Sequence, residues 1–273
     1  MGDAKGKSYR EMYDEAHTIS TELIAQYSGM NKDTKAAQKV LERMERMIEK
    51  RKSLELKKDI PHLSDTCKTH LCDVYTRVKY ERTEDIKSKY LEKGLTVEED
   101  AITLYSMVTR EFHKKNTEEK SNDFIQGTLD FIDEIKVVDT KVNWSVFQFT
   151  RTAARPIKPL YHWQLDGYMW LWGRKKAKLA YALINTPEHL IRREEKNLLY
   201  DFVGSEEDYK EACKELRRNH IYDDIPIEER LRVFDVEYSE ERIEKIKKRV
   251  QECRWFLNNI SNVNKIEQDE DED

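Results

Sequence analysis

Over the first ninety positions, apolar residues recur at helical spacing. Ala37, Val40, Leu41, Met44, Met47 and Ile48 fall on one stripe with charged residues around it, the pattern of an amphipathic helix. Pro61 interrupts the pattern, because proline lacks the amide and crowds the preceding turn. Cys67, Leu71, Val74 and Tyr75 then restart it. This stretch predicts helices packed through their apolar faces, with no chemistry of their own. After Gly94, Leu95 to Phe112 predicts one further helix.

The pattern then changes. Phe124 to Ile132 and Ile135 to Val142 are short, apolar and rich in β-branched residues, and Asp133-Glu134 separates them. They predict a hairpin turning at those two acids. A basic, proline-containing loop, Arg151 to Pro159, leads to an aromatic helix, Tyr161 to Gly173, and then to a strand, Lys178 to Asn185, ended by Thr186-Pro187. Beyond Glu188 the chain returns to charged helix, with one more strand at Leu231 to Tyr238. A final helix carries Ile243, Ile246, Val250, Cys253 and Leu257 on one face. The predicted class is α/β, in the α+β sense: a small mixed sheet flanked by helices, with helical extensions at both ends.

Composition narrows the picture. Gly and Pro are scarce, 8 and 5 in 273 residues, which disfavours many-turned all-β and collagen-like architectures. Charged residues make up 38% of the chain, and no apolar run approaches a membrane span. The N-terminus lacks the basic-then-apolar pattern of a secretory signal, so the four cysteines are expected as thiols in a reducing cytoplasm. The formal charge of −5 comes from the end of the chain, where Glu267, Asp269, Glu270, Asp271, Glu272 and Asp273 hold six acids; without them it is +1. A near-neutral body does not exclude nucleic acid, since binding depends on where basic residues cluster.

The candidate chemistry lies in the middle. On a strand, residues i and i+2 share a face, so Asp139 and Lys141 point together while Val138, Thr140 and Val142 point oppositely. On the partner strand, Gly127-Thr128-Leu129-Asp130 brings a second carboxylate to the same end of the sheet. Glu98 lies on the apolar stripe of its helix with Ala101, Ile102 and Tyr105, where a carboxylate needs a metal or a basic partner. Gln164 and Tyr168 are i and i+4 on the aromatic helix, with Trp172 a turn further on. Hard carboxylate oxygens suit Mg²⁺, and a nearby lysine can orient or activate a water and steady charge developing on phosphorus.

These residues resemble a known family. Gly94-x-x-x-Glu98-x-x-Ala101, Gly127-Thr-Leu-Asp130, Asp139-x-Lys141 and Gln164-x-x-x-Tyr168 look like the successive motifs of the PD-(D/E)XK nuclease superfamily, in its lambda-exonuclease, YqaJ and RecB-like phage branch. The resemblance covers about Lys93 to Pro187. It implies a restriction-endonuclease-like core over 91–190, preceded by a helical extension over 1–90. A helical part with one strand follows over 191–266, and a disordered acidic tail over 267–273. It also implies Mg²⁺ or Mn²⁺ held by Glu98, Asp130, Asp139 and the Thr140 carbonyl, with Lys141 and Gln164 completing the catalytic set. Leu129 stands where the name-giving proline would be, and position 139 is Asp rather than Glu; neither change removes a ligating oxygen.

The implied reaction is phosphodiester hydrolysis, with double-stranded DNA ends as the favoured substrate in phage or prophage recombination. The implied setting is the cytoplasm of a bacterial or phage-infected cell. Members of this branch work as rings and hand the remaining strand to a single-strand annealing protein. Arg151, Arg155 and Lys158 before the glutamine helix, and Arg174, Lys175, Lys176 and Lys178 after it, could flank the active edge and grip phosphates, with Tyr168 nearby. Some relatives carry an iron–sulfur cluster, but no Cys-x-x-Cys occurs here, so ordinary thiols are expected. The competing readings are an endonuclease of the same superfamily and a catalytically silent binding module.

Overall fold

The computed structural model describes residues 7–85 and 88–268. The acidic tail beyond Gln268, expected to be disordered, lies outside the described residues. The chain divides into two compact units, Met1–Glu84 with Lys248–Asp273, and Asp85–Lys247.

The first unit holds α1 (Tyr9–Ser28), α2 (Lys35–Glu55) and α3 (Asp65–Tyr80). Each starts at a hydroxyl side chain, Ser8, Thr34 or Ser64, that accepts from a backbone amide of the first turn, satisfying a donor the helix itself leaves unpaired. α1 packs along α2.

The second unit runs α4 (Lys89–Thr96), α5 (Glu98–Thr109), β1 (Lys120–Ser121), β2 (Gln126–Gly127), β3 (Phe131–Asp133), β4 (Lys136–Val142), α6 (Val146–Ala153), α7 (Pro159–Trp172), β5 (Lys176–Ala182), α8 (Glu188–Asp201), α9 (Glu206–Arg218) and β6 (Leu231–Glu237). It ends in the first turns of α10 (Glu240–Gln268). Back in the first unit, the later part of α10 brings Phe256 against Leu63 and Leu71, and Cys253 Sγ to 3.8 Å from Cys67 Sγ.

Strands β3, β4, β5 and β6 form one mixed sheet in that order. β4 and β5 are parallel and the outer pairs antiparallel. The parallel pair is joined through α6 and α7, since parallel strands need a crossover. One face carries α5, whose Ala101, Ile102, Leu104 and Tyr105 bury against Phe131, Val138, Ala180 and Ala182. The other carries α7, whose Leu165 and Met169 pack on Val137, Ala177, Leu179 and Tyr181. Covered on both faces, β5 is largely apolar, as central strands are, whereas β4 carries Asp139, Thr140 and Lys141 toward its end.

The structure changes several sequence expectations. The single helix expected over Leu95–Phe112 is two: α4 contains Gly94, and the break falls at Val97, with φ −113° and ψ 20°. The long strand expected over Phe124–Ile132 is divided. Asn122 Oδ1 accepts from the amides of Phe124 and Ile125, turning the chain so that β2 pairs with β1 instead. Asn116 then binds the carbonyls of Asp130 and Leu129, at 2.6 and 3.2 Å, and the main-sheet ladder begins only at Phe131. The hairpin turns at Glu134-Ile135, one residue later than expected, with Glu134 at φ 52°. Asp133 is therefore a paired strand residue. Arg151 lies in α6, which Ser145 caps, rather than in a loop, and β5 starts at Lys176.

Candidate active site

β4 presents alternate residues to two helical layers. Val137 belongs to the cluster beneath α7 and Val138 to the cluster beneath α5, so period two directs Asp139 and Lys141 toward α7. Asp139 is 2% exposed. Lys141 Nζ sits 2.6 Å from Asp139 Oδ2. The contact is an ion pair off the direction of a hydrogen bond, so this buried oxygen accepts none. Burial pushes the Asp139 carboxyl up to about 6; Lys141 opposes the rise, while Asp130 and Glu98 add to it. Burial works against the Lys141 charge, but Asp139 and then Asp130 outweigh it and hold the ammonium above its ordinary pKa.

Asp130 stands where the ladder is interrupted between β2 and β3. Its Oδ2 accepts from both the amide and the hydroxyl of Thr140, each at 2.6 Å, so the carboxylate occupies the edge of β4 that a longer β3 would have covered. Burial raises its pKa and the Thr140 bonds pull it back in part. Glu98, the first residue of α5, is half-buried. Its charge acts on both aspartates, and Lys115 Nζ pairs with its Oε2 at 2.6 Å. On α7, Gln164 Nε2 donates to Tyr168 Oη at 3.0 Å. Burial raises the Tyr168 pKa, and Asp139, Lys141 and Asp130 all act on that phenol. Gly127, which opens the Gly127-Thr-Leu-Asp130 motif, lies directly under Tyr168: a Cβ there would come within 2.9 Å of the ring. Any side chain at 127 would displace the tyrosine.

The basic residues divide. Arg151, Arg155 and Lys158 are exposed and follow β4 into α7, at the end of β4 where Lys141 lies. Lys176 precedes by five residues the Tyr181 that pairs with Lys141, about 17 Å along the strand. Arg174, Lys175 and Lys176 thus sit at the opposite end of the sheet, and the expectation that they flank the active edge is corrected. α7 runs back along the sheet before β5 begins, which carries its C-terminus away from Lys141. Lys175 lies over the Tyr238 ring at 3.5 Å. Lys178, also expected near phosphates, is paired with buried Asp133 and lies 3.0 Å from Tyr105 Oη.

Two lysines carry roles that sequence reading missed. Lys115 had no local signal, being seventeen residues beyond Glu98. Lys93 is 1% exposed and donates to the carbonyls of Asn143 and Trp144 at 3.0 and 3.1 Å. It sits beside the Trp144 and Tyr222 rings, and burial lowers its pKa to about 7. It fastens the turn by which the chain leaves β4. A separate donor group, Glu111, His113 and Asp133, has its ligand atoms within 4.8 Å of one another. It could hold a cation, although the Lys178 ammonium already neutralises Asp133.

No protein-family model matches the chain, and no curated protein matches it. Solved structures do. A phage-related exonuclease from Haemophilus somnus 129PT aligns with a TM-score of 0.57 at 27% identity, over 74% of this chain and 85% of that one. The chain has the lambda-exonuclease-type PD-(D/E)XK fold. An alkaline exonuclease, LHK-Exo from Laribacter hongkongensis, shares this fold at a TM-score of 0.51 and 13% identity, over 78% of this chain and 90% of that one. In this chain Glu98 opens the helix that covers one face of the sheet, Asp130 immediately precedes the hairpin strand β3, Asp139 and Lys141 lie on β4, and Gln164 lies on the crossover helix α7. The helix–sheet arrangement also agrees with the α+β class.

Proposed function

We propose that the chain is a metal-dependent DNA exonuclease that hydrolyses phosphodiester bonds from double-stranded ends. The observation that carries this reading is the convergence of Glu98, Asp130 and Asp139 beside Lys141. Resemblance to the exonucleases named above supports it, and the phage-related one supports a role in phage or prophage recombination.

Mg²⁺ or Mn²⁺ fits the donor set. The buried Asp139 oxygen has no directed hydrogen bond, and three carboxylates near one another repel unless a cation joins them. Glu98, Asp130, Asp139 and the Thr140 carbonyl would hold it. When bound, such an ion neutralises phosphate charge and lowers the pKa of a coordinated water. Lys141 is held above its ordinary pKa by Asp139 and Asp130, so it stands protonated near neutral pH in the metal-free chain. Its part is to orient the water and stabilise charge developing on the phosphate oxygens. Gln164 fixes the Tyr168 phenol over the site, and Arg151, Arg155 and Lys158 grip the backbone of the incoming duplex.

Among the described residues no helix is long and apolar enough to cross a membrane. The cytoplasm of a bacterial or infected cell, a homo-oligomeric ring and a single-strand annealing partner belong to this reading. The test is incubation with linear and covalently closed circular duplex in Mg²⁺ and in EDTA, with Asp139→Ala as control. Metal-dependent loss of the linear form alone is expected. Nicking of the circle would replace this reading with an endonuclease, and intact DNA under both Mg²⁺ and Mn²⁺ with a silent binding module.

A further inference from the structure

We propose that Lys115 is the internal counter-cation of Glu98: it holds that carboxylate until a divalent ion takes its place, and the released ammonium then binds a DNA phosphate. The proposal rests on the metal-dependent reading above. Its geometric basis is the 2.6 Å contact between Lys115 Nζ and Glu98 Oε2. The contact is built rather than incidental, because the neighbouring residue is fastened to the site itself. Asn116 donates its amide to the Asp130 carbonyl at 2.6 Å and its side-chain NH₂ to the Leu129 carbonyl at 3.2 Å. On the other side of Lys115, the His113 amide donates to Ser106 Oγ at 3.1 Å, tying the loop to α5. Glu98 is fixed as the first residue of α5. Lys115 thus reaches Glu98 from a segment anchored on both sides, at His113 and at Asn116.

Charge gives the arrangement its consequence. Glu98, Asp130 and Asp139 carry three negative charges, and Lys141 answers only part of this. Lys115 faces Glu98 first, with Glu99 and Asp130 also acting on it. A divalent ion at Glu98 meets this ammonium as a like charge a few ångströms away, so the two compete for one carboxylate. The Lys115 side chain is 36% exposed, so it can leave without crossing the core. The phosphate that arrives with the metal is the nearest new anion for it.

The experiment measures Mn²⁺ binding by titration calorimetry on the full chain for wild type, Lys115→Met, Lys115→Gln and Lys115→Arg, each checked for fold by circular dichroism. Duplex binding follows by fluorescence anisotropy in Ca²⁺ and in EDTA. The neutral variants are expected to bind Mn²⁺ about tenfold tighter, roughly 1.4 kcal/mol, and Glu98→Gln to abolish that gain. In Ca²⁺ the neutral variants should bind duplex several-fold more weakly than wild type, with no difference in EDTA and with Lys115→Arg near wild type. Unchanged or weaker Mn²⁺ binding in the neutral variants overturns the proposal and leaves the metal-dependent reading standing. Equal loss of DNA affinity in Ca²⁺ and EDTA overturns it as well, reducing Lys115 to a fixed phosphate contact. Failure of wild type to bind Mn²⁺ at all removes the metal-dependent reading itself.

Discussion

Asp139→Asn is expected to make the metal-free protein more stable at pH 7 and to remove its cleavage. Asp139 is 2% exposed, and burial moves its carboxyl from 3.8 to about 6. The folded chain therefore binds this proton more tightly than the unfolded chain does. Asp139 favours the fold below pH 3.8, and that contribution is lost as pH rises through about 6. The shift is about 2 units at 1.36 kcal/mol each, so the ionised side chain burdens the fold by about 3 kcal/mol above pH 6. Asparagine keeps the shape without the charge. The attraction of Lys141 for the ionised carboxylate is already contained in that position near 6, so the gain at pH 7 is about 3 kcal/mol.

Relative to wild type, the variant should gain about 3 kcal/mol between pH 3.5 and pH 7, read from urea midpoints followed by tryptophan fluorescence in EDTA. Added Mg²⁺ should then stabilise wild type but not the variant, because only a ligand that binds the folded state raises its stability. A variant whose relative stability is flat across that pH range, or falls with rising pH, would refute the argument that this carboxylate is held at an energetic disadvantage for function.

Further outcomes follow from the same geometry. Lys141→Met should slow cleavage by about 10²–10³-fold, the scale for loss of one transition-state donor, while duplex affinity in Ca²⁺ stays near wild type. Lys93→Met tests the buried ammonium. The native Lys93 pKa of about 7 lies below its ordinary 10.5, so wild-type stability should rise from pH 7 to 10.5 as the unfolded chain gives up the proton. The ceiling is about 5 kcal/mol, less what the two carbonyl bonds recover; urea midpoints at pH 7 and pH 10 should show the rise in wild type and its absence in the variant. Gly127→Ala should lower stability by about 1–3 kcal/mol through overpacking against Tyr168, read from the thermal midpoint. The hindrance is a ring carbon, so Tyr168→Phe should not relieve it and Tyr168→Leu should.

Legibility in the sequence followed the range of the signal. Alternation along Lys136–Val142 placed Asp139 and Lys141 on one face, and helical spacing joined Gln164 to Tyr168; both are settled within a single element. Glu98 was legible as a carboxylate in need of a partner, yet the partner came from an irregular segment between α5 and β1, where periodicity carries no information. Asp133 read as a turn residue because acids favour turns. Its pairing with Lys178 crosses from β3 to β5, two strands away in the sheet. The division of the Phe124–Ile132 run was hidden for the same reason: its cause lies in Asn116 and Asn122, whose side chains compete with the strand ladder for backbone groups. Arg174 and Lys176 follow α7 closely in sequence, and only the parallel register of β4 with β5 reveals that they sit at the far end of the sheet.

The central claim is that the Glu98, Asp130, Asp139 and Lys141 cluster cuts DNA from its ends with a divalent ion. It is tested most directly by chelator-stripped protein on uniformly labelled linear duplex, measuring acid-soluble nucleotide as Mg²⁺ is added back. The account predicts no release without the ion, progressive release with it, and none from Asp139→Asn at any Mg²⁺ concentration. Release without the ion, or release by Asp139→Asn at the wild-type rate, would contradict it.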